Sequence, residues 1–148
     1  MTVNVGDTLP DGSLWEFDNS KEVGGPKKMV VSELITGKKI VIFGLPGAFT
    51  PTCSANHLPG YIENAEKILQ KVDEIWCLSV NDAFVMNAWA EKHEIENVKM
   101  IPDGSGEFTR DMDMLVWKPA QNFGYRSWRY AMVVNGMEVE KTWVEEGK

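Results

Sequence analysis

Apolar residues along this chain change their spacing several times, and each change predicts an element. Lys39 to Leu45 carries the run Ile40-Val41-Ile42-Phe43 and is bounded by glycine and proline. A β-branched apolar run of that length predicts a buried strand. From about Thr50 to Val72 the spacing becomes helical, with Tyr61, Ala65, Ile68, Leu69 and Val72 three or four residues apart. Pro59 lies inside that helix. It removes a backbone donor and crowds the carbonyl of Ala55, which predicts a kink.

Glu74 to Val80 predicts a second apolar strand, and Asn81-Asp82 can cap a helix from Ala83 to about His93. Val98 to Ile101 predicts a third strand, stopped by Pro102-Asp103-Gly104, and Phe108 to Leu115 a short helix. Trp128 to Val134 and Glu138 to Val144 flank Asn135-Gly136, a strong hairpin signal. Before Lys39 the pattern predicts short strands and turns. Leu9-Pro10-Asp11-Gly12-Ser13 is turn chemistry, Gly24-Gly25-Pro26 a break, and Val31 to Ile35 a short helix stopped by Gly37. This order predicts an α/β fold. Its central sheet is mixed, parallel in part, with helices on both faces and an N-terminal strand extension.

Composition narrows the class. The chain has 148 residues, 43% of them hydrophobic, which suits a single domain over 1–148 with a real core. A net charge of −7, with no basic stripe, argues against nucleic acid as a partner. No apolar run is long enough to span a membrane, and no signal segment is visible at the start, so a cytoplasmic protein is expected. Cys53 and Cys77 are the only cysteines, and with His57 and His93 they make a poor zinc set. Neither a metal nor a cofactor is expected.

The chemistry concentrates in 44-GLPGAFTPTCSANH-57. The strand delivers the chain to one end of the sheet, where ligands bind in open α/β folds. Thr50 suits an N-cap and Pro51 a first helical position, so Cys53 falls in the helix's first turn. The helix dipole and unpaired N–H groups there favour thiolate. Thr50 and Cys53 stand where redox proteins of the C-x-x-C type have two thiols. A hydroxyl cannot form a disulfide, but it can hold a substrate oxygen.

The stretch 46-PGAFTPTC-53, with 78-LSVNDAFVMNAW-89 and 127-SWRYAMVV-134, resembles the peroxiredoxins, and in particular the Prx5 subfamily (type II peroxiredoxins). It is also similar to the peroxiredoxin part of bacterial peroxiredoxin–glutaredoxin fusions. The resemblance implies a thioredoxin-like fold and reduction of hydrogen peroxide and alkyl hydroperoxides. By matching position, Cys53 is the peroxidatic nucleophile, Thr50 the hydroxyl that holds peroxide, and Pro46 the shield of the thiolate. The backbone N–H groups of Gly47, Thr52 and Cys53 would hold the second oxygen. The family also uses an arginine from a distant strand. Arg126 and Arg129 are the candidates. Three apart, they would face opposite sides of one strand. Arg129, in R-Y-A, matches the motif, and Arg126 reads as a solvated surface charge. His57 borders the pocket or caps local groups, and Phe49 and Phe84 are expected to be apolar walls or a subunit contact.

A sulfenic acid on Cys53 needs a second thiol. Cys77 is the only internal candidate, but it lies about 10 Å below the strand's end, so it reads as buried core and as a resolving cysteine only after local unfolding. Members of the subfamily with an internal disulfide resemble this chain but carry the resolving cysteine near the C terminus. The sequence has none there, which favours an external thiol: glutathione with glutaredoxin, or thioredoxin. The resemblance also implies a homodimer. Family members usually carry a terminal helix past the hairpin, where this sequence stops at Glu145-Glu146-Gly147-Lys148, so apolar surface there is expected to be exposed or filled by a neighbour. Two other readings remain open: a redox sensor that passes oxidation to a partner, and a thioredoxin-fold binding or chaperone module.

Overall fold

The computed structural model describes residues 4–51 and 58–145. Its elements run β1 (Ser13–Asp18), β2 (Gly25–Val30), α1 (Val31–Ile35), β3 (Lys39–Leu45), α2 (Leu58–Leu69), β4 (Glu74–Ser79), α3 (Ala83–Lys92), β5 (Lys99–Pro102), α4 (Glu107–Asp111), β6 (Leu115–Lys118), β7 (Gly124–Ser127), β8 (Arg129–Asn135) and β9 (Glu138–Glu145).

Five strands form the central sheet in the order β5-β4-β3-β8-β9. β3, β4 and β5 are parallel, whereas β8 lies antiparallel between β3 and β9. The near-continuous apolar runs of β3 and β4 exist because both faces are covered. Ile40, Ile42, Trp76 and Leu78 point into one core cluster with Val31 and Ile35 of α1 and Phe108 of α4. Phe43, Leu45, Ile75 and Cys77 point into the other, with Ala65 of α2 and Met86 and Trp89 of α3. Helices therefore cover both faces, as the alternation of strand and helix predicts. The β1–β2 hairpin forms a separate two-stranded sheet.

Local chemistry sets most boundaries. Gly37, with φ 76°, ends the segment after α1, and Gly136, with φ 57°, turns β8 into β9. Asp82 is the N-cap of α3 and accepts a hydrogen bond from the Val85 N–H at 2.8 Å. Asp82→Ala is expected to lower stability by about 1 kcal/mol. A urea titration reads this as an earlier midpoint at unchanged slope, and an unchanged midpoint would contradict it.

Several expectations need correction. Gly25-Pro26 is not a break but the start of β2. Gly24 makes the turn at φ 57°, and the two-stranded sheet gives Pro26 an edge position, where a missing donor is tolerated. The segment 108–115 is not one helix. α4 stops at Asp111, Asp113 turns at φ 57°, and Leu115 opens β6. The β6–β7 hairpin is absent from the sequence reading altogether. α2 is described from Leu58. The kink expected at Pro59 depends on Ala55, which lies outside the described residues.

Candidate active site

β3 carries the chain to Leu45, and Pro46, Gly47 and Ala48 follow as a buried turn. Gly44 is required just before it. A Cβ there would lie 2.1 Å from Cε1 of Tyr130, whose ring crosses β3 from the neighbouring β8. Tyr130 is itself 2% exposed. Burial first, then the nearby Asp103 and Cys77, push its phenol well above the ordinary value.

Hydrogen bonds tie the turn at Pro46, Gly47, Ala48 and Thr50. Thr50 Oγ1 donates to the Gly47 carbonyl at 2.7 Å, and the Thr50 N–H reaches the same oxygen at 3.4 Å. The Ala48 N–H donates to Oδ1 of Asn81 at 3.0 Å, and the Ser79 hydroxyl donates to that same oxygen at 2.6 Å. Arg126 Nη1 donates to the Pro46 carbonyl at 3.3 Å. Phe49 takes φ 63°, a left-handed conformation that costs a non-glycine residue about 1–3 kcal/mol. Its ring is nearly half exposed, with Lys92 Nζ 5.7 Å above it and Trp89 6.5 Å away. Pro51 has helical backbone.

The structure thus brings Pro46, Gly47 and Thr50 together on one turn. Thr52, Cys53 and His57 lie outside the described residues. Cys77 is fully buried at the middle of β4, between its register partners Phe43 and Met100. Tyr61 of α2 stacks on Phe43 with centroids 3.7 Å apart. Burial, and then Cys77, raise the Tyr61 phenol above its ordinary value. Asp103 is buried at the end of β5, and burial raises its carboxyl although Thr109 donates to it twice.

The two arginines do not share a strand. Arg126 ends on β7, Trp128 breaks the chain, and Arg129 opens β8. The argument that they face opposite sides of one strand therefore fails. Arg129 is half-buried. The last β3–β8 pair, Gly44 with Tyr130, sets it beside Leu45 at the end of β3. Alternation puts it on the face of Ala131, which packs with Phe43 and Leu45. Arg126 is no solvated surface charge. It is half-buried, and its guanidinium sits on the turn. Asn81 was likewise read only as a helix cap, whereas Asp82 has that task and Asn81 ties the loop. The signal for Asn81 was its place at the end of β4, beside the end of β3.

Among the described residues no cluster of three or more His, Cys, Asp or Glu could hold a metal ion. No helix among them is long and apolar enough to cross a membrane.

Comparison with known proteins gives the family. The Redoxin family model matches residues 4–148. Peroxiredoxin sll1621 of Synechocystis sp. is 49% identical over 137 residues, covering 92% of this chain and 67% of the relative. Hybrid peroxiredoxin hyPrx5 of Haemophilus influenzae is 54% identical over 119 residues, 79% of this chain and 49% of that protein. Reduced Prx3 of Vibrio vulnificus, solved in complex with H2O2, superposes with a TM-score of 0.91 at 43% identity, over 99% of this chain and 90% of that one. The 1-Cys peroxiredoxin of Plasmodium falciparum does so with a TM-score of 0.91 at 32% identity, over 99% and 86%. With its thioredoxin-like sheet and this run of relatives, the chain belongs to the redoxin family and, within it, to the peroxiredoxins, the thiol-dependent peroxidases.

Proposed function

We propose that this peroxiredoxin reduces hydrogen peroxide and alkyl hydroperoxides with Cys53 as nucleophile. The Cys53 thiolate attacks one peroxide oxygen and the O–O bond breaks. The sulfur becomes a sulfenic acid, and the departing hydroxide or alkoxide takes a proton from solvent. With its proton donated to the Gly47 carbonyl, the Thr50 hydroxyl oxygen accepts from the peroxide O–H, and Pro46 shields the thiolate. The N–H groups of Gly47, Thr52 and Cys53 receive the growing negative charge. Arg129, beside the end of β3, stabilises the thiolate and polarises the peroxide. His57 borders the pocket. The observation that carries this reading is the turn 46–50, pinned by hydrogen bonds at the end of β3 and leading straight into Cys53.

The sulfenic acid is reduced by an external thiol, either glutathione with glutaredoxin or thioredoxin. The complete burial of Cys77 supports this, since a disulfide needs Cα atoms within about 7 Å and an accessible sulfur. The chain functions as one domain, in the cytoplasm, as a homodimer. Exposed Phe49 and Phe84 near the turn and α3 are suited to such a contact.

Steady-state peroxide reduction with each donor system tests the assignment of the reductant. Cys77→Ser is expected to keep turnover within about threefold of the parent, because it alters a buried side chain and no reacting atom. Loss of turnover with every external donor would make Cys77 the resolving thiol and overturn the one-cysteine cycle.

A further inference from the structure

We infer that Arg126 is a positioning residue for peroxide reduction: its guanidinium braces the Pro46–Gly47 turn, the backbone that leads in sequence to Cys53, in the geometry the reaction needs. The inference rests on the peroxidase reading and adds to it a second arginine with a separate task from that of Arg129.

Three observations converge on it. First, the guanidinium is held at both ends. Nε donates to the Phe123 carbonyl at 3.1 Å, and Nη1 donates to the Pro46 carbonyl, eighty residues away in sequence, at 3.3 Å. Its Cζ lies over the Phe123 ring, 5.2 Å from the centroid, a contact that limits its swing. A fork of this kind needs arginine, because lysine offers one charged nitrogen and no planar face.

Second, Gly47 is shaped to receive it. A Cβ on residue 47 would lie 2.6 Å from Nη1, its tightest contact, then 3.2 Å from Thr50 Cγ2 and 3.6 Å from Cζ. Gly47 has no positive φ, so backbone conformation does not demand glycine here. The close approach of the guanidinium does.

Third, the turn needs bracing. Phe49 holds a left-handed conformation, and the Gly47 carbonyl is already taken by Thr50. With Arg126 on Pro46, the consecutive carbonyls of Pro46 and Gly47 are both engaged by donors. Misplacement of a reacting group by about 1 Å can cost on the order of 100-fold in rate.

The test is the single-turnover rate of the reduced protein with hydrogen peroxide, followed against pH and paired with a urea midpoint. Arg126→Ala is expected to slow the reaction about 10- to 100-fold. The loss should persist near pH 9, where a thiol of ordinary pKa about 8.5 is mostly thiolate. Arg126→Lys, which keeps the charge, should recover less than half of that loss on a logarithmic scale. Gly47→Ala should slow the parent about as much, because its Cβ displaces the guanidinium. In the Arg126→Ala background the same substitution should cost clearly less than in the parent, since the tightest obstructed group is gone and only the 3.2 Å approach to Thr50 Cγ2 remains. That non-additivity does not arise from a general loss of stability, so it also serves if one single variant folds poorly. Rates within twofold of the parent for Arg126→Ala would overturn the inference. So would full rescue by lysine, a loss that vanishes at high pH, or strict additivity with Gly47→Ala. If the parent protein itself fails to react faster than free cysteine, the peroxidase reading falls instead, and the two failures are told apart.

Discussion

Cys53→Ser is expected to lower peroxide reduction by about 10⁴-fold or more, the scale seen when the attacking atom itself is removed from a catalytic group. The substitution changes one atom, and the chemistry explains its size. A thiol of pKa about 8.5, lowered at a helix N-terminus, is largely thiolate near neutral pH, whereas a serine hydroxyl stays protonated. Oxygen also has no counterpart to the sulfenic acid, so no covalent intermediate forms and no external thiol has anything to reduce. On the proposed reading Thr50 and Arg129 remain in such a variant and would still hold peroxide, but holding it without attack gives no turnover. Peroxide consumption with dithiothreitol as donor measures the effect. Retention within tenfold of the parent rate would place the reacting thiol elsewhere, and Cys77 is the one other thiol in the sequence.

Gly44→Ala has the largest expected effect on stability, about 3 kcal/mol, and it arises from a single methyl group. Its Cβ would fall 2.1, 2.5 and 2.8 Å from three carbons of the Tyr130 ring. Distances that short require something to move. The ring is buried against the core of the α1 face, and the backbone on both sides is locked, by Leu78 of β4 and Tyr130 of β8 in register with Gly44. For a chain of this length the loss corresponds to roughly a 10 °C drop in Tm. The site should suffer as well, since Gly44 is two residues from Pro46 on the strand that delivers the turn. A double-mutant cycle with Tyr130→Leu tests the cause. Removing the ring should make Gly44→Ala much less costly, so the double variant loses less than the sum of the singles. Additive losses would show that the clash is not the reason for glycine at this position.

The parts of this fold that the sequence disclosed are those with local signals. β3 spans the residues its apolar run predicts, Lys39 to Leu45, because a strand buried on both faces needs no alternation. α1, α3 and the β8–β9 hairpin follow from a glycine stop, an Asp82 cap and Asn135-Gly136. β6 and β7 were illegible for the opposite reason. Each is four residues long, and their cross-strand pair Trp117 and Tyr125 is exposed, so no buried face writes a pattern into them.

The site divides along the same line. Pro46, Gly47, Thr50 and Cys53 lie within eight consecutive residues, so their spacing could be read directly. Arg126 could not. Its place depends on a hairpin without a signature, on the break at Trp128 and on a carbonyl eighty residues away. Asn81 is a similar case. Its neighbour Asp82 has the ordinary capping task, while Asn81 reaches Ala48 across the ends of β3 and β4. Gly47 is a turn glycine in the sequence, and the guanidinium above it, with Thr50 Cγ2 beside it, shows why a side chain is excluded.

The most direct measurement is a stoichiometric pulse of hydrogen peroxide on the fully reduced protein, with intact mass followed in time. The account predicts rapid gain of one oxygen, absent in Cys53→Ser and reversed by dithiothreitol. Oxidation no faster than that of free cysteine, or an equal oxygen gain in Cys53→Ser, would contradict it.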